Sequence, residues 1–329
     1  MRIAVDAMGS DNHPTPDVEG SVWAAREFGE ELILVGDEPT IAAELAKHDT
    51  NGLKITIYHA REAVTMLDKP RDVVRGKPNS SMHAGMQLLK DGQADAFITA
   101  GNTGAALAIA MLGPLRRISG VKRAALGVLF PVPGRPLLID GGATADSTAD
   151  QLLQFAQMGS IYITRMNGIE RPRVALVSNG EEESKGNKVI QEAMPLLQNS
   201  GLNYVGNIEP KEFMQGMVDV AVTDGFVGNI MMKTAEATAR LLADTIRTEI
   251  KANPLSAMGG LLIRSAMKRV SKQLDPHEVG GAPLLGLDGV VIVGHGRSNA
   301  YAIKQAVGQA RRVVEADVVQ AIRDGLGTE

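Results

Sequence analysis

Val218-Asp219-Val220-Ala221-Val222-Thr223-Asp224-Gly225-Phe226-Val227-Gly228-Asn229-Ile230-Met231-Met232-Lys233-Thr234 is the stretch whose reading decides the fold. Val218, Val220 and Val222 alternate as a buried strand does, Gly225 and Gly228 permit a tight turn, and an apolar-periodic helix is predicted from Asn229. A strand, a glycine turn and a helix start in succession aim free backbone N–H groups past the end of the strand, a position that favours an anion. Asn229 is the predicted N-cap, and Lys233 stands one turn further along on the same side. A plain strand-to-helix connection would use the same glycines, so one copy leaves both readings open. Repetition is what separates them.

The same grammar recurs along the chain. The strand Ala94 to Thr99 leads into Ala100-Gly101-Asn102-Thr103-Gly104, with Asn102 and Thr103 where a cap belongs. Leu137-Leu138-Ile139 leads into Asp140-Gly141-Gly142-Ala143-Thr144, and Val174 to Val177 into Ser178-Asn179-Gly180-Glu181-Glu182-Glu183-Ser184-Lys185-Gly186-Asn187. None of these is a Walker A loop or Gly-x-Gly-x-x-Gly, which weakens nucleotide binding. Three acidic residues in the last turn suit metal ligation or the helix dipole. The dipole reading is preferred for them, and the functional one for Lys185, hemmed in by Gly186 and Asn187. The first strand, Arg2 to Met8, opens onto a turn carrying His13, which suits a phosphate donor or base as well as a solvated turn residue. Arg71, Arg75 and Lys77 before Ser80 and Ser81 suit an anion or a solvated loop. His295 follows the strand Val290 to Val293 and precedes a helix start predicted at Ser298, again in the anion-facing position.

Strands alternating with helices imply an α/β fold: a mostly parallel sheet with helices on both faces, and ligands beyond the carboxyl ends of the strands. The 329 residues are expected to form a single catalytic domain, 1–329, with two lobes as an option. Thirty-six glycines beside only 3% aromatic residues suit close turns around small polar ligands rather than stacking platforms for bases. With a net charge of −4, nothing global favours nucleic acid. Cysteine is absent, which excludes disulfides, thiolate zinc and a cysteine nucleophile. No apolar run approaches about 20 residues and the N-terminus enters a strand at once, so a cytoplasmic protein is expected, with no cofactor and no metal.

Residues 253–275 stand apart. Met258, Leu262, Ala266 and Val270 share one helical side with Ile263, Met267 and Leu274, while Arg264, Lys268, Arg269 and Lys272 cover the other. Such a segment suits a membrane surface, an acidic carrier protein or a dimer partner about equally.

Taken together, Met1 to Gly9, Ala100 to Gly104, Gly180 to Asn187, Asp224 to Asn229, Gly280-Gly281-Ala282-Pro283-Leu284-Leu285-Gly286 and His295-Gly296-Arg297-Ser298-Asn299-Ala300 resemble the PlsX-type phosphate acyltransferases of bacterial phospholipid synthesis, in order and over nearly the whole length. Ser10 and Thr144 depart from that pattern, standing where glycine and asparagine are usual. The resemblance implies a fold related to phosphotransacetylases and to isocitrate and isopropylmalate dehydrogenases. It also implies acyl transfer from acyl carrier protein to inorganic phosphate, a homodimer, and reversible contact with the membrane where a glycerol-3-phosphate acyltransferase takes the product.

The residues suit that chemistry on their own account. Phosphate is a competent nucleophile, so the protein must mainly gather it and stabilise a tetrahedral oxyanion, and no Gly-x-Ser-x-Gly elbow is present. Lys185 and Asn229 are the expected catalytic pair. His13, Asn102, Thr103, Gly104, Gly228, Lys233 and His295 are expected to bind substrate, and Leu262, Ile263, Arg264, Lys268, Arg269 and Lys272 to meet the membrane or carrier. The competing classes are an NAD-dependent dehydrogenase and a non-catalytic phosphate or acyl sensor.

Overall fold

The computed structural model describes residues 1–273 and 276–326, so Leu274 and Asp275 of the 253–275 segment lie outside the described residues. Strands β1 (Arg2–Asp6), β2 (Glu31–Gly36), β3 (Ile55–His59), β4 (Ala96–Thr99) and β5 (Ala125–Leu126) come first. After Gly127 the chain enters a second sheet with β6 (Val128–Leu129), β7 (Leu137–Ile139), β8 (Val174–Val177), β9 (Tyr204–Ile208) and β10 (Val220–Val222). It then returns to the first sheet as β11 (Ala282–Leu285) and β12 (Val290–Val293).

The first sheet has the order β3-β2-β1-β4-β12-β11-β5 and the second β6-β7-β10-β8-β9. Every neighbouring pair is parallel except β11 with β12, β11 with β5, and β6 with β7. Parallel strands deliver their outgoing turns at one edge. Val5 pairs with Ile98 and Ile98 with Ile292, so the turns after β1, β4 and β12 emerge side by side. Val222 pairs with Ile139 and Leu176, which does the same for the turns after β7, β10 and β8.

The helix Ala149–Asn167 joins the two halves. Its Phe155, Met158 and Tyr162 are fully buried in a cluster that takes side chains from both sheets. Gly159 brings this helix close to β10, since a Cβ there would lie 2.7 Å from Val220 Cγ1. Gln309 donates to the buried Tyr162 hydroxyl at 2.6 Å, satisfying a group whose isolation would cost about 1–3 kcal/mol.

The stretch Gly280 to Gly286 contains strand β11. Pro283 lacks an N–H and enters the ladder through its carbonyl, which accepts from Gly127 N at 2.9 Å. The helix start predicted at Ser298 leads into two helices, Ala300–Glu315 and Val318–Leu326, separated at Asp317 by φ 52°. The helix predicted from Asn229 runs Gly225–Lys251 and is capped by Asp224, whose side chain accepts from Val227 N.

That long helix is followed directly by a second, Pro254–Gln273. They approach closely at Gly260, where a Cβ would lie 2.4 Å from Ile250 Cγ2. Leu255, Met258, Leu261 and Leu262 remain exposed, so packing on the partner helix uses only part of the apolar surface. Among the described residues no helix is long and apolar enough to cross a membrane.

Candidate active site

The first-sheet turns are tied together from beneath. Asp6, at the end of β1, accepts from Met8 N at 3.1 Å and from Thr99 Oγ1 at 2.7 Å, and burial pushes its carboxyl up. Gly9 is needed because a Cβ there would lie 2.9 Å from Asp6 Oδ2 and 3.0 Å from Thr99 Oγ1. His13 contacts the Ser10 carbonyl through Nδ1 at 2.7 Å. A carbonyl only accepts, so Nδ1 carries the proton and Nε2 of this exposed ring is left for a ligand.

Ser10, one of the two departures from the family pattern, has a buried partner of its own. Its hydroxyl donates to Asp17 Oδ2 at 2.5 Å, while Asp17 Oδ1 has no hydrogen-bond partner among the described residues. Burial raises the Asp17 carboxyl from 3.8 to about 7, more than the Ser10 hydrogen bond lowers it. The folded protein therefore holds a proton that the unfolded chain has released. That relative stabilisation is complete below the unfolded value and is lost as pH rises through the folded one. Asp17→Asn, which keeps an acceptor for Ser10, is expected to raise the thermal midpoint at about pH 8, with the gain vanishing near pH 4. A difference independent of pH would contradict the buried-carboxyl account.

Asn102 is spent on structure. Its Oδ1 accepts from Ala105 N at 3.0 Å, capping the helix Thr103–Leu112, and its Nδ2 donates to Asp68 O at 3.0 Å. Gly104 likewise packs, since a Cβ there would lie 2.9 Å from Pro70 Cγ. Both clamp the 61–81 connection, where Lys77 is taken by Asp68 at 2.6 Å. Of the expected ligand groups in this turn, Thr103, half-buried at the first helical position, is the one whose side chain has no hydrogen-bond partner among the described residues.

In the second sheet the buried Asp140 organises its turn. It accepts from Leu126 N, Gly142 N and Ala143 N through Oδ1 at 2.9, 3.0 and 2.9 Å, and from Thr144 N through Oδ2 at 2.7 Å. Gly225 and Gly228 exist for this neighbour: a Cβ at Gly225 would lie 2.8 Å from Asp140 Oδ2, and one at Gly228 only 1.9 Å from Asp140 O. The cap at Asp224 changes the expected chemistry of the turn. Gly225 N donates to Thr144 O at 2.8 Å, Val227 N to Asp224 Oδ1 at 2.8 Å and Gly228 N to Asp224 O at 3.0 Å. The N–H groups of Gly225, Val227 and Gly228 are therefore committed within the fold.

Asn229 lies in the second turn of its helix, exposed, with no hydrogen bond to its amide among the described residues. It stands over Gly142, whose Cβ, if present, would lie 3.4 Å from Asn229 Cβ. Lys185 is held in the neighbouring turn by its backbone: its N donates to Glu182 O at 2.9 Å, and its carbonyl accepts from Gln191 Nε2. Its stem runs beside Gly180, where a Cβ would lie 2.7 Å from Lys185 Cγ, and its ammonium has no ion pair among the described residues. Glu181, Glu182 and Glu183 are exposed, and among the described residues no group of three potential metal ligands converges.

The two sheets meet at Lys233 and His295. Lys233 Nζ lies 3.2 Å from His295 Nε2 and 3.1 Å from Glu236 Oε2. Glu236 was not anticipated, although its position three residues after Lys233 on one helix face was a signal. Its contacts with His295, at 3.8 Å, and with the Lys233 ammonium hold its carboxyl down at about 2.

The family profile described as "Fatty acid synthesis protein" matches residues 1–321. The phosphate acyltransferase of Geobacter sulfurreducens is 44% identical over 330 residues, covering 100% of this chain and 95% of its own, and that of Trichlorobacter lovleyi 46% over 327 residues, covering 99% and 94%. Among solved structures, a phosphotransacetylase from Streptococcus pyogenes superposes with a TM-score of 0.62 at 20% identity, covering 97% of this chain and 94% of that one. A branched-chain phosphotransacylase from Enterococcus faecalis V583 gives 0.57 at 15%, covering 95% and 99%. At these identities the structural likeness shows the fold.

Proposed function

The chain belongs to the fatty acid synthesis protein family and is an acyltransferase, and from that premise we propose that it converts an acyl thioester of acyl carrier protein and inorganic phosphate to acyl phosphate and free carrier protein. The observation that carries the reading is the pair of side chains uncommitted among the described residues, Lys185 and Asn229, at the mouths of adjacent strands β8 and β10. A phosphate oxygen attacks the thioester carbonyl, the tetrahedral oxyanion collapses, and the carrier thiolate leaves and takes up a proton. Lys185 neutralises phosphate, and the Asn229 amide donates to phosphate or to the oxyanion. His13, Thr103, Lys233 and His295 position the anion. The test is hydroxylamine trapping of acyl phosphate. Product that requires both the acyl carrier protein thioester and phosphate supports the reading, and acylated protein that turns over would refute direct attack.

The working unit is proposed as one catalytic domain in a homodimer, cytoplasmic and held reversibly at the membrane by residues 253–275. Leu262, 86% exposed, and Ile263 would enter the interface while Arg264, Lys268, Arg269 and Lys272 meet anionic headgroups. There the acyl phosphate would pass to a membrane glycerol-3-phosphate acyltransferase. Replacing Leu262 and Ile263 by aspartate is expected to abolish sedimentation with anionic vesicles while leaving transfer in solution intact. Unchanged sedimentation would reject this segment as the anchor.

A further inference from the structure

Lys233 and Glu236 lie three residues apart on the helix Gly225–Lys251 and face the turn that follows β12 in the other sheet. One carboxylate oxygen, Glu236 Oε2, lies 3.1 Å from Lys233 Nζ and 3.8 Å from His295 Nε2. An ammonium has donors and no lone pair, so in its 3.2 Å contact with Lys233 the His295 Nε2 is the acceptor and the ring proton sits on Nδ1. His295 is fixed on its own side. Its carbonyl accepts from Ser298 N at 2.8 Å and Ser298 Oγ at 2.6 Å, and the next carbonyl, Gly296 O, accepts from Asp11 N at 2.8 Å.

We propose that Glu236 is a positioning residue: it braces Lys233 against His295 across the cleft, so that groups from both sheets are already placed when phosphate arrives. This rests on the acyl-phosphate reading above. A free lysine side chain loses up to about 2 kcal/mol of rotamer entropy on being ordered, and the carboxylate has met that cost before substrate binds. Being an anion beside an anion seat, it also opposes ground-state binding of phosphate. Removing the charge therefore has two effects of opposite sign: the geometry loosens while the net positive charge of the cleft rises.

Glu236→Gln is expected to lower kcat about tenfold while the KM for phosphate stays level or falls, with Glu236→Asp recovering part of the loss. Since the residue acts through Lys233, the double variant Glu236→Gln, Lys233→Ala is expected to be no slower than Lys233→Ala alone. Wild-type kcat in Glu236→Gln, a raised KM with kcat intact, or losses that multiply in the double variant would each overturn the proposal. A readout independent of activity is peptide-resolved hydrogen exchange over residues 294–299, expected to quicken in Glu236→Gln. If the wild-type protein makes no acyl phosphate, the functional reading falls and exchange alone judges the brace: faster exchange upholds it, and unchanged exchange overturns it.

Discussion

Gly228→Ala is expected to cost about 3 kcal/mol of stability or more, at or beyond the upper end of the usual penalty for overpacking. A Cβ at this position would lie 1.9 Å from Asp140 O, 3.0 Å from Asp140 C and 3.1 Å from Thr223 Cγ2. Two of the three obstacles are backbone atoms at the end of β7, and no rotamer change moves them. Displacing Asp140 would also loosen the four amides its carboxylate holds. Domains are stable by only about 5–15 kcal/mol, so a low soluble yield or a large fall in the denaturation midpoint is the expected result. Gly259→Ala is the matched control, because among the described residues no atom beyond its own helix backbone and chain neighbours lies within 4 Å of the added Cβ, and it sits inside the helix Pro254–Gln273. That change is expected to be stabilising by up to about 1 kcal/mol. A wild-type midpoint for Gly228→Ala would mean that the helix Gly225–Lys251 does not pack on the Asp140 turn as described.

Lys185→Ala and Asn229→Ala are expected to act in the opposite way, sparing the fold and removing turnover. Neither polar head makes a hydrogen bond or ion pair among the described residues and both residues are exposed, so stability should stay within about 0.5 kcal/mol. Loss of one donor to a developing oxyanion, or to the phosphate that creates it, typically lowers kcat by about 100-fold to 1,000-fold. Steady-state formation of trapped acyl phosphate, run beside thermal melts of the same preparations, separates this from unfolding. Near wild-type turnover in either variant would remove that residue from the mechanism.

These two predictions differ in kind because the two glycine-turn features differ in what the chain makes visible. Gly225 and Gly228 were readable as turn glycines, but as servants of an anion. The structure uses them to admit Asp140, and the N–H groups of Gly225, Val227 and Gly228 are already bonded. Asn229 was expected as a cap because it begins the apolar periodicity. Asp224 takes that role because its carboxylate sits three residues before Val227 N, where an N-cap acceptor is well placed. Asn102 ran the other way: the sequence argued correctly for a cap at that turn, and its amide is consumed there and by Asp68.

The strands Leu137–Ile139, Val174–Val177 and Val290–Val293, the glycine turns that follow parallel strands, and the resemblance to a phosphate acyltransferase family were determined by the amino-acid order alone. Alternation, turn chemistry and motif spacing are local properties, carried by residues a few positions apart. Which turns share a cleft was decided only by the tertiary structure. The sheet orders β1-β4-β12 and β7-β10-β8 are not chain order, and the Lys233–His295 contact closes 62 residues of chain. Periodicity reports which side of an element is apolar and carries no record of which distant element will cover it. Crossover connections and the packing of helix Ala149–Asn167 against both sheets supply that record.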